Sequence, residues 1–475
     1  MRESAPFRTP RPYKIGRTVG PGVPDRAPAA AVFPPPGSGR WGLTPLAARI
    51  LLAGLLLREA FSFWTGHPYD FENWVRTGHA VAVGANPYAY WPSVPGVSFA
   101  YLGQELPSAA YLPFWPLLLG GLYRLWELVG FQNRFVLYFL LKQPPILADV
   151  LVAYLLYRLA GRWSGRVGPA LEALGAWSFF PYAILISAVW GQFDSIVLAL
   201  LLGVFFVQEP LARNVLYGFG IFVKFVTAIY LPLEAFVARG WRRLGVVVAV
   251  VIPIALTFAI FAGLGWGTTN LIAASVSQTH GSGGGMNWVG IVTAGPINPY
   301  TVSVPGLDLV LSYLWVPAVV VAGVVAARWA TPGDARSLLR PLILVTAVFL
   351  LFRFGLYEQY LVYLFALLAL DLAVAGAGRR EIFQVLSVSA YVYLVLNNDF
   401  LLRFLSPLNT SISPDLISLD ASLIYGTFRT WALIVLCGVV TIALVQVVYV
   451  YFRDVGRPRS WLLGGRTPAP AAPIE

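Results

Sequence analysis

Apolar stretches recur along this chain from residue 46 to residue 452, long enough as helices to cross the ~30 Å hydrocarbon layer of a bilayer. That repetition leaves little choice of architecture. The chain is predicted to be all-α: a polytopic helical membrane protein of about 10 to 13 transmembrane helices. Composition agrees, with 58% of residues hydrophobic and only 12% charged, where an ordinary soluble domain is nearer half apolar and a quarter charged. The single cysteine, Cys437, lies inside an apolar stretch, so neither a disulfide framework nor a cysteine metal site is expected. His67, His79 and His280 are too scattered for a metal cluster. The net charge of +11 does not call for nucleic acid, because the basic residues gather at the ends of apolar segments, as cytoplasmic loops require.

Residues 1–45 are rich in Pro, Gly and Arg and read as a disordered cytoplasmic tail. Residues 46–452 form the membrane domain, and 453–475 a short second tail on the same side. Threading the arginine-rich turns inside gives spans near 46–64, 145–160, 171–189, 195–208, 244–264, 307–328, 340–355, 359–376, 382–397 and 427–451. Residues 214–238 enter and leave on one side, a hairpin with Lys224 near its tip and a break near Pro232. A first outer loop covers 65–110 and a second 265–306. The product is a multi-pass protein of the cell membrane with both termini cytoplasmic.

On that trace the unusual polar residues collect at the outer face. Asp70 and Glu72 fall in "YDFENW"; Lys142 and Asp149 flank the outer start of their span; Gln192 and Asp194 sit in "WGQFDS"; Lys224 is at the hairpin tip; Arg353 and Glu358 share the turn "FRFGLYEQY". Of 33 basic residues only Lys14, Lys142 and Lys224 are lysines, two of them in apolar surroundings. A compact ammonium suits a phosphate; snorkelling, or a Lys142–Asp149 pair, is the plainer alternative. Asp70 and Glu72, two residues apart, point to different faces if the loop is helical. Asp194 is placed to cap the next helix, and Glu358 to pair with Arg353.

The succession "LLKQPPILADVLVAYLLYRLAGR", "SAVWGQFDSIVLALLL", "GFGIFVKFVTAIYLPL", together with the acid in "YDFENW", resembles the C-type (GT-C fold) integral-membrane glycosyltransferases. It is most similar to those that use polyprenyl- or dolichyl-phosphate mannose. The likeness runs over residues 46–376; in "LYEQY" only Glu358 matches the outer turn of some relatives, Tyr357 and Gln359 standing where they have His and Lys. The resemblance implies inverting transfer of a hexose, with mannose favoured, from a polyprenyl-phosphate donor. The acceptor would be a hydroxyl on a lipid-linked glycan, lipid or protein at the extracytoplasmic side. Asp70 would be general base, with Glu72 and Asp194 beside it in the catalytic group. Lys142, Asp149, Gln192, Lys224, Arg353 and Glu358 would bind the lipid phosphate and sugar. No cofactor is implied, although Asp70 with Glu72 offers two carboxylates to a divalent cation. A transporter or flippase for an anionic or lipid-linked substrate is the alternative, since ionisable residues in membrane segments also mark transport pathways; a scaffold of mutually paired charges is a third.

Overall fold

The computed structural model describes residues 33, 42–89, 91–104, 111–130, 132–269, 271–272, 285–293, 306–376 and 379–455. Both predicted tails apart from residues 33, 42–45 and 453–455, and most of the second outer loop, lie outside them. The described chain is helical throughout, and its sheet-like pairing is limited to one bridge between Gly285 and Leu356.

Six helices among the described residues are long and apolar enough to cross a membrane: Arg134–Ser164, Gly240–Leu264, Leu309–Ala327, Ala335–Phe352, Glu358–Ala375 and Leu423–Arg453. Val167–Ser178 and Pro181–Trp190, bent by 46°, make a seventh if they form one span. The remaining segments of the sequence trace are helices that are shorter or more charged. Pro45–Ser62 carries Arg49, Arg58 and Glu59, and Asp194–Phe206 and Phe225–Val237 are short apolar helices.

The N-terminal elements that frame the site are α1 (Pro45–Ser62), α2 (Asp70–Ala82), α3 (Phe114–Val129), α4 (Arg134–Ser164), α5 (Val167–Ser178), α6 (Pro181–Trp190), α7 (Asp194–Gly203), α8 (Pro210–Val223) and α9 (Leu231–Val237). Two findings depart from the sequence trace. First, α4 is one continuous helix of 31 residues running through Pro144 and Pro145, so Lys142 and Asp149 lie within it rather than at the start of a span. Second, the break in the 214–238 segment falls at Lys224 itself. Its extended backbone (φ −158°, ψ 131°) separates α8 from a 3-10 turn, Phe225–Tyr230, and Pro232 sits harmlessly in the first turn of α9, where no N–H is needed.

The hairpin itself is as the charge pattern required. Arg213 pairs with Glu234 at its base (3.1 Å), the Tyr217 and Tyr230 rings face each other at 5.8 Å, and Thr227 donates to the Tyr217 carbonyl. Near the tip the arms touch so closely that a Cβ on Gly220 would stand 2.7 Å from the Thr227 side chain. Buried Arg213 and Glu234 satisfy one another, which is what permits an ion pair in apolar surroundings.

Candidate active site around Asp70

Asp70 opens α2, in the first turn where the helix dipole favours a negative charge. Its carboxylate is about a quarter exposed, at 24%. Two neutral side chains hold one oxygen: the Trp190 indole N–H donates to Oδ2 at 2.8 Å and the Gln192 amide at 3.0 Å. Oδ1 has no partner among the described residues. An acid held on one side by neutral donors stays a free acceptor; an acid locked to arginine does not.

The donors arrive together for a local reason. The last six residues of α6, Leu185–Trp190, wind as a π-helix, a widened turn that shifts register and is frequent at functional sites. Gly191 then takes φ +91°, a conformation that strains any side chain, and a Cβ there would also meet the Phe71 ring at 2.8 Å. The chain thus reverses between Trp190 and Gln192, and both reach Asp70. Two residues later Asp194 begins α7.

His67 completes this corner. Its ring stacks on Trp190 (centroids 4.5 Å apart), its Nδ1 accepts the Asp70 backbone N–H at 3.2 Å, and the same Nδ1 stands 3.4 Å from Asp70 Oδ2. Burial pushes the imidazole down to about 4, so near neutral pH it is uncharged and Nδ1 is free to accept. Phe404 packs on both rings, at 5.9 Å from His67 and 5.5 Å from Trp190, and its carbonyl accepts the Gly66 N–H. Phe404 follows three consecutive left-handed non-glycine residues, Asp399, Phe400 and Leu401. Arg403 in that segment pairs with Asp399 and Asp420, and its charge acts on His67 and Tyr101.

Glu72 is turned away, as the two-residue spacing predicts. Fully buried, it pairs with Arg76 (2.7 Å) and accepts the Phe99 N–H (3.0 Å). Arg76 in turn donates to the carbonyls of Trp91, Tyr101 and Gln104. This pair fastens the loop onto α2 and leaves Glu72 no oxygen for a reaction. Nor do Asp70 and Glu72 converge on a common cation, since their oxygens face different partners. Among the described residues no three His, Cys, Asp or Glu side chains gather at metal-binding distance.

Lys142 is fully buried, and Nζ reaches four oxygens: Thr65 O (2.6 Å), Thr65 Oγ1 (2.8 Å), Ala188 O (2.9 Å) and Val189 O (3.2 Å). It binds the carbonyls beyond α1 and at the end of α6, where helix ends leave acceptors unpaired. Where the sequence leads us to expect a phosphate, the three Lys142 protons are shared among protein oxygens. The Lys142–Asp149 alternative is also set aside. Asp149 pairs with Arg58 at 2.7 Å and accepts from Trp177 and Ser187, while Arg58 also donates to the carbonyls of Gly54, Trp177 and Ser178.

Lys224 donates to both Asp194 oxygens (2.9 and 2.8 Å) and lies over the rings of Tyr111, Phe193 and Tyr360 at 5.1 to 5.4 Å. The Tyr363 hydroxyl adds a bond to Asp194. Asp194 therefore makes no side-chain cap on α7. A phosphate at Lys224 would have to displace a carboxylate from a closed aromatic box. Glu358 is buried and held by the Asn397 amide at 2.7 Å rather than by Arg353, yet the charge of Asp70 reaches it. Tyr111 feels Asp70, Asp194, Tyr357 and Tyr360 at once. Asp70, Gln192, Asp194, Lys224 and Glu358 thus share one region. Arg353 lies over Trp315 at 5.6 Å, with the Asn287 amide on its carbonyl. Trp190, His67, Arg403, Asn397 and Phe404 were not singled out from the sequence.

No protein-family model matches this sequence, and no curated protein matches it. Among solved structures it is similar to the oligosaccharyltransferase of Archaeoglobus fulgidus tethered to an acceptor peptide by a disulfide bond. That alignment has 12% identity and a TM-score of 0.38, and covers 88% of this chain and 56% of that one. A second likeness is to AglB, the archaeal oligosaccharyltransferase from Archaeoglobus fulgidus, in complex with an inhibitory peptide and a dolichol-phosphate. There identity is 11%, the TM-score is 0.36, and 86% of this chain and 56% of that one are covered. This chain spans little more than half the length of either. At such scores the likeness settles neither fold family nor reaction, and the chemistry must come from the side chains around Asp70.

Proposed function

We propose that this chain is a membrane glycosyltransferase of the C type, moving a hexose from a polyprenyl-phosphate carrier to an acceptor hydroxyl. The single observation that carries the reading is the carboxylate of Asp70, held on one oxygen by Trp190 and Gln192 and open on the other. Mannose is the sugar favoured by the sequence resemblance. The acceptor is a lipid-linked glycan, a lipid or a protein.

Asp70 Oδ1 takes the acceptor proton as the acceptor oxygen bonds to the anomeric carbon. The bond from that carbon to the phosphate oxygen breaks, its electron pair leaving with the lipid phosphate, and configuration inverts in one displacement. Neutral donors on Oδ2 keep the base oriented. The leaving phosphate needs a positive partner. Lys142 and Lys224 are bound internally and nearly fully buried; Arg403 is also paired, with Asp399 and Asp420, but is one-fifth exposed and electrostatically in reach of His67, and it is our candidate for that part. Glu72, Asp149 and Asp194 hold the scaffold.

The test uses purified protein in lipid, a panel of radiolabelled polyprenyl-phosphate sugars and a host lipid extract, with wild type beside Asp70→Asn. Transfer by wild type alone supports the reading and names the sugar. Equal transfer by both removes Asp70 as base. One observation favours a transporter: the hairpin broken at Lys224, since interrupted helices and buried charge are typical there. Absence of both transfer and donor binding makes that the better reading.

A further inference from the structure

Gln192 is fully buried, and its amide is fixed in orientation, because only Nε2 can donate to the Asp70 carboxylate. Its Oε1 is therefore a buried acceptor of known position, and it has no hydrogen-bond partner. A buried acceptor left unpaired costs about 1–3 kcal/mol, so a donor is called for. The neighbouring Asp70 Oδ1 is also without a partner among the described residues. Each member of this hydrogen-bonded amide–carboxylate pair thus keeps one unsatisfied acceptor. Their donors, Trp190 and Gln192, are committed to Oδ2.

We infer that Gln192 Oε1 and Asp70 Oδ1 form a two-acceptor fork that reads a pair of adjacent hydroxyls on the acceptor, so that the acceptor is a sugar or other vicinal diol rather than a lone alcohol. This rests on the reading of Asp70 as the base: one hydroxyl meets Asp70 and is the nucleophile, and its neighbour donates to Gln192. Gln192 is on this view a specificity-determining residue. A site built to accept a hydroxyl proton rejects the analogue lacking it strongly, because the acceptor is then left buried and empty.

Binding can be measured apart from transfer. Saturation-transfer NMR in lipid nanodiscs would compare methyl α-mannoside, methyl α-glucoside and methyl α-galactoside with their monodeoxy analogues, on wild type, Gln192→Leu, Gln192→Glu and Asp70→Asn. Thermal unfolding of each variant checks folding. The expected result is binding of at least one glycoside, weakened tenfold or more by removing one specific hydroxyl. Gln192→Leu should weaken the parent glycoside similarly and abolish discrimination against that deoxy analogue. Gln192→Glu, which keeps an acceptor, should retain part of the discrimination. Equal discrimination in wild type and Gln192→Leu would overturn the fork, as would failure of all glycosides to bind. Selective binding without transfer from any donor would leave the fork standing and refute the glycosyltransferase reading.

Discussion

Ser187 and Trp190 are three residues apart on one π-helical turn, yet they serve two carboxylates of opposite character. Ser187 donates to Asp149, which also holds Arg58 and Trp177. Trp190 donates to Asp70, which holds no cation. Asp149 is saturated, with its own counter-ion and a surrounding cavity of about 10 Å³, room for about one water. Asp70 is half-engaged and part-exposed. The difference shows how this chain spends charge inside a membrane. Where a helix end or a span must be fastened, the charge is paired until nothing is left over. Where chemistry is proposed, one oxygen is kept free.

The contrast breaks most sharply on Asp70→Asn. Transfer should fall by about 10²–10⁴-fold, the usual contribution of a general base, while the thermal midpoint barely moves. Assay and melting curve on the same preparation decide it. Asp149→Asn should do the reverse. Leaving Arg58 buried without its counter-ion costs about 3–5 kcal/mol, seen as loss of folded protein in detergent by size-exclusion chromatography. If Asp149→Asn folds normally and loses only activity, the division between holding and reacting acids is wrong.

The Asp194–Lys224 pair sharpens the same point. Lys224→Met alone should destabilise by about 3–5 kcal/mol, and the double change with Asp194→Leu should recover most of it, measured by thermal unfolding in matched detergent. A phosphate-binding lysine would instead stay inactive in the stable double variant for want of donor binding.

The smallest effect concerns His67 and pH. Its folded value of about 4 lies below the ordinary 6.5. Between those values the unfolded chain binds a proton that the folded chain refuses, so stability is full above about 6.5 and declines as pH falls toward 4. The loss over that window is about 3 kcal/mol. A His67→Gln variant, which keeps an acceptor for the Asp70 N–H, should show a flatter stability profile between pH 6.5 and 4.

Much of the plan was legible in the sequence. Helical membrane architecture follows from repeated apolar stretches, and the divergence of Asp70 and Glu72 from helical geometry. The hairpin tip at Lys224 follows from arginines on both its flanks. Other features left no local trace. The partners of Lys142 are mostly backbone carbonyls, which no residue type announces. Arg58 and Asp149 are 91 positions apart, and an arginine in an apolar segment reads equally well as an interface anchor. The π-turn before Gly191 has no hydrophobic period of its own. Arg403 and Phe404 come to Asp70 from more than three hundred residues away, through a left-handed turn that disfavours most side chains. Apolar character marks the helices well but not their lengths: among the described residues six, or seven with the bent pair, are long and apolar enough to cross, and Asp194–Phe206 and Phe225–Val237 are apolar but shorter.

That distinction gives the hairpin a last consequence. Its first arm has 14 residues, a rise of about 21 Å against about 30 Å of hydrocarbon. An arm that short, ending in apolar surroundings, can carry a lysine at its tip only because Lys224 closes on both oxygens of Asp194 and leaves no bare charge there.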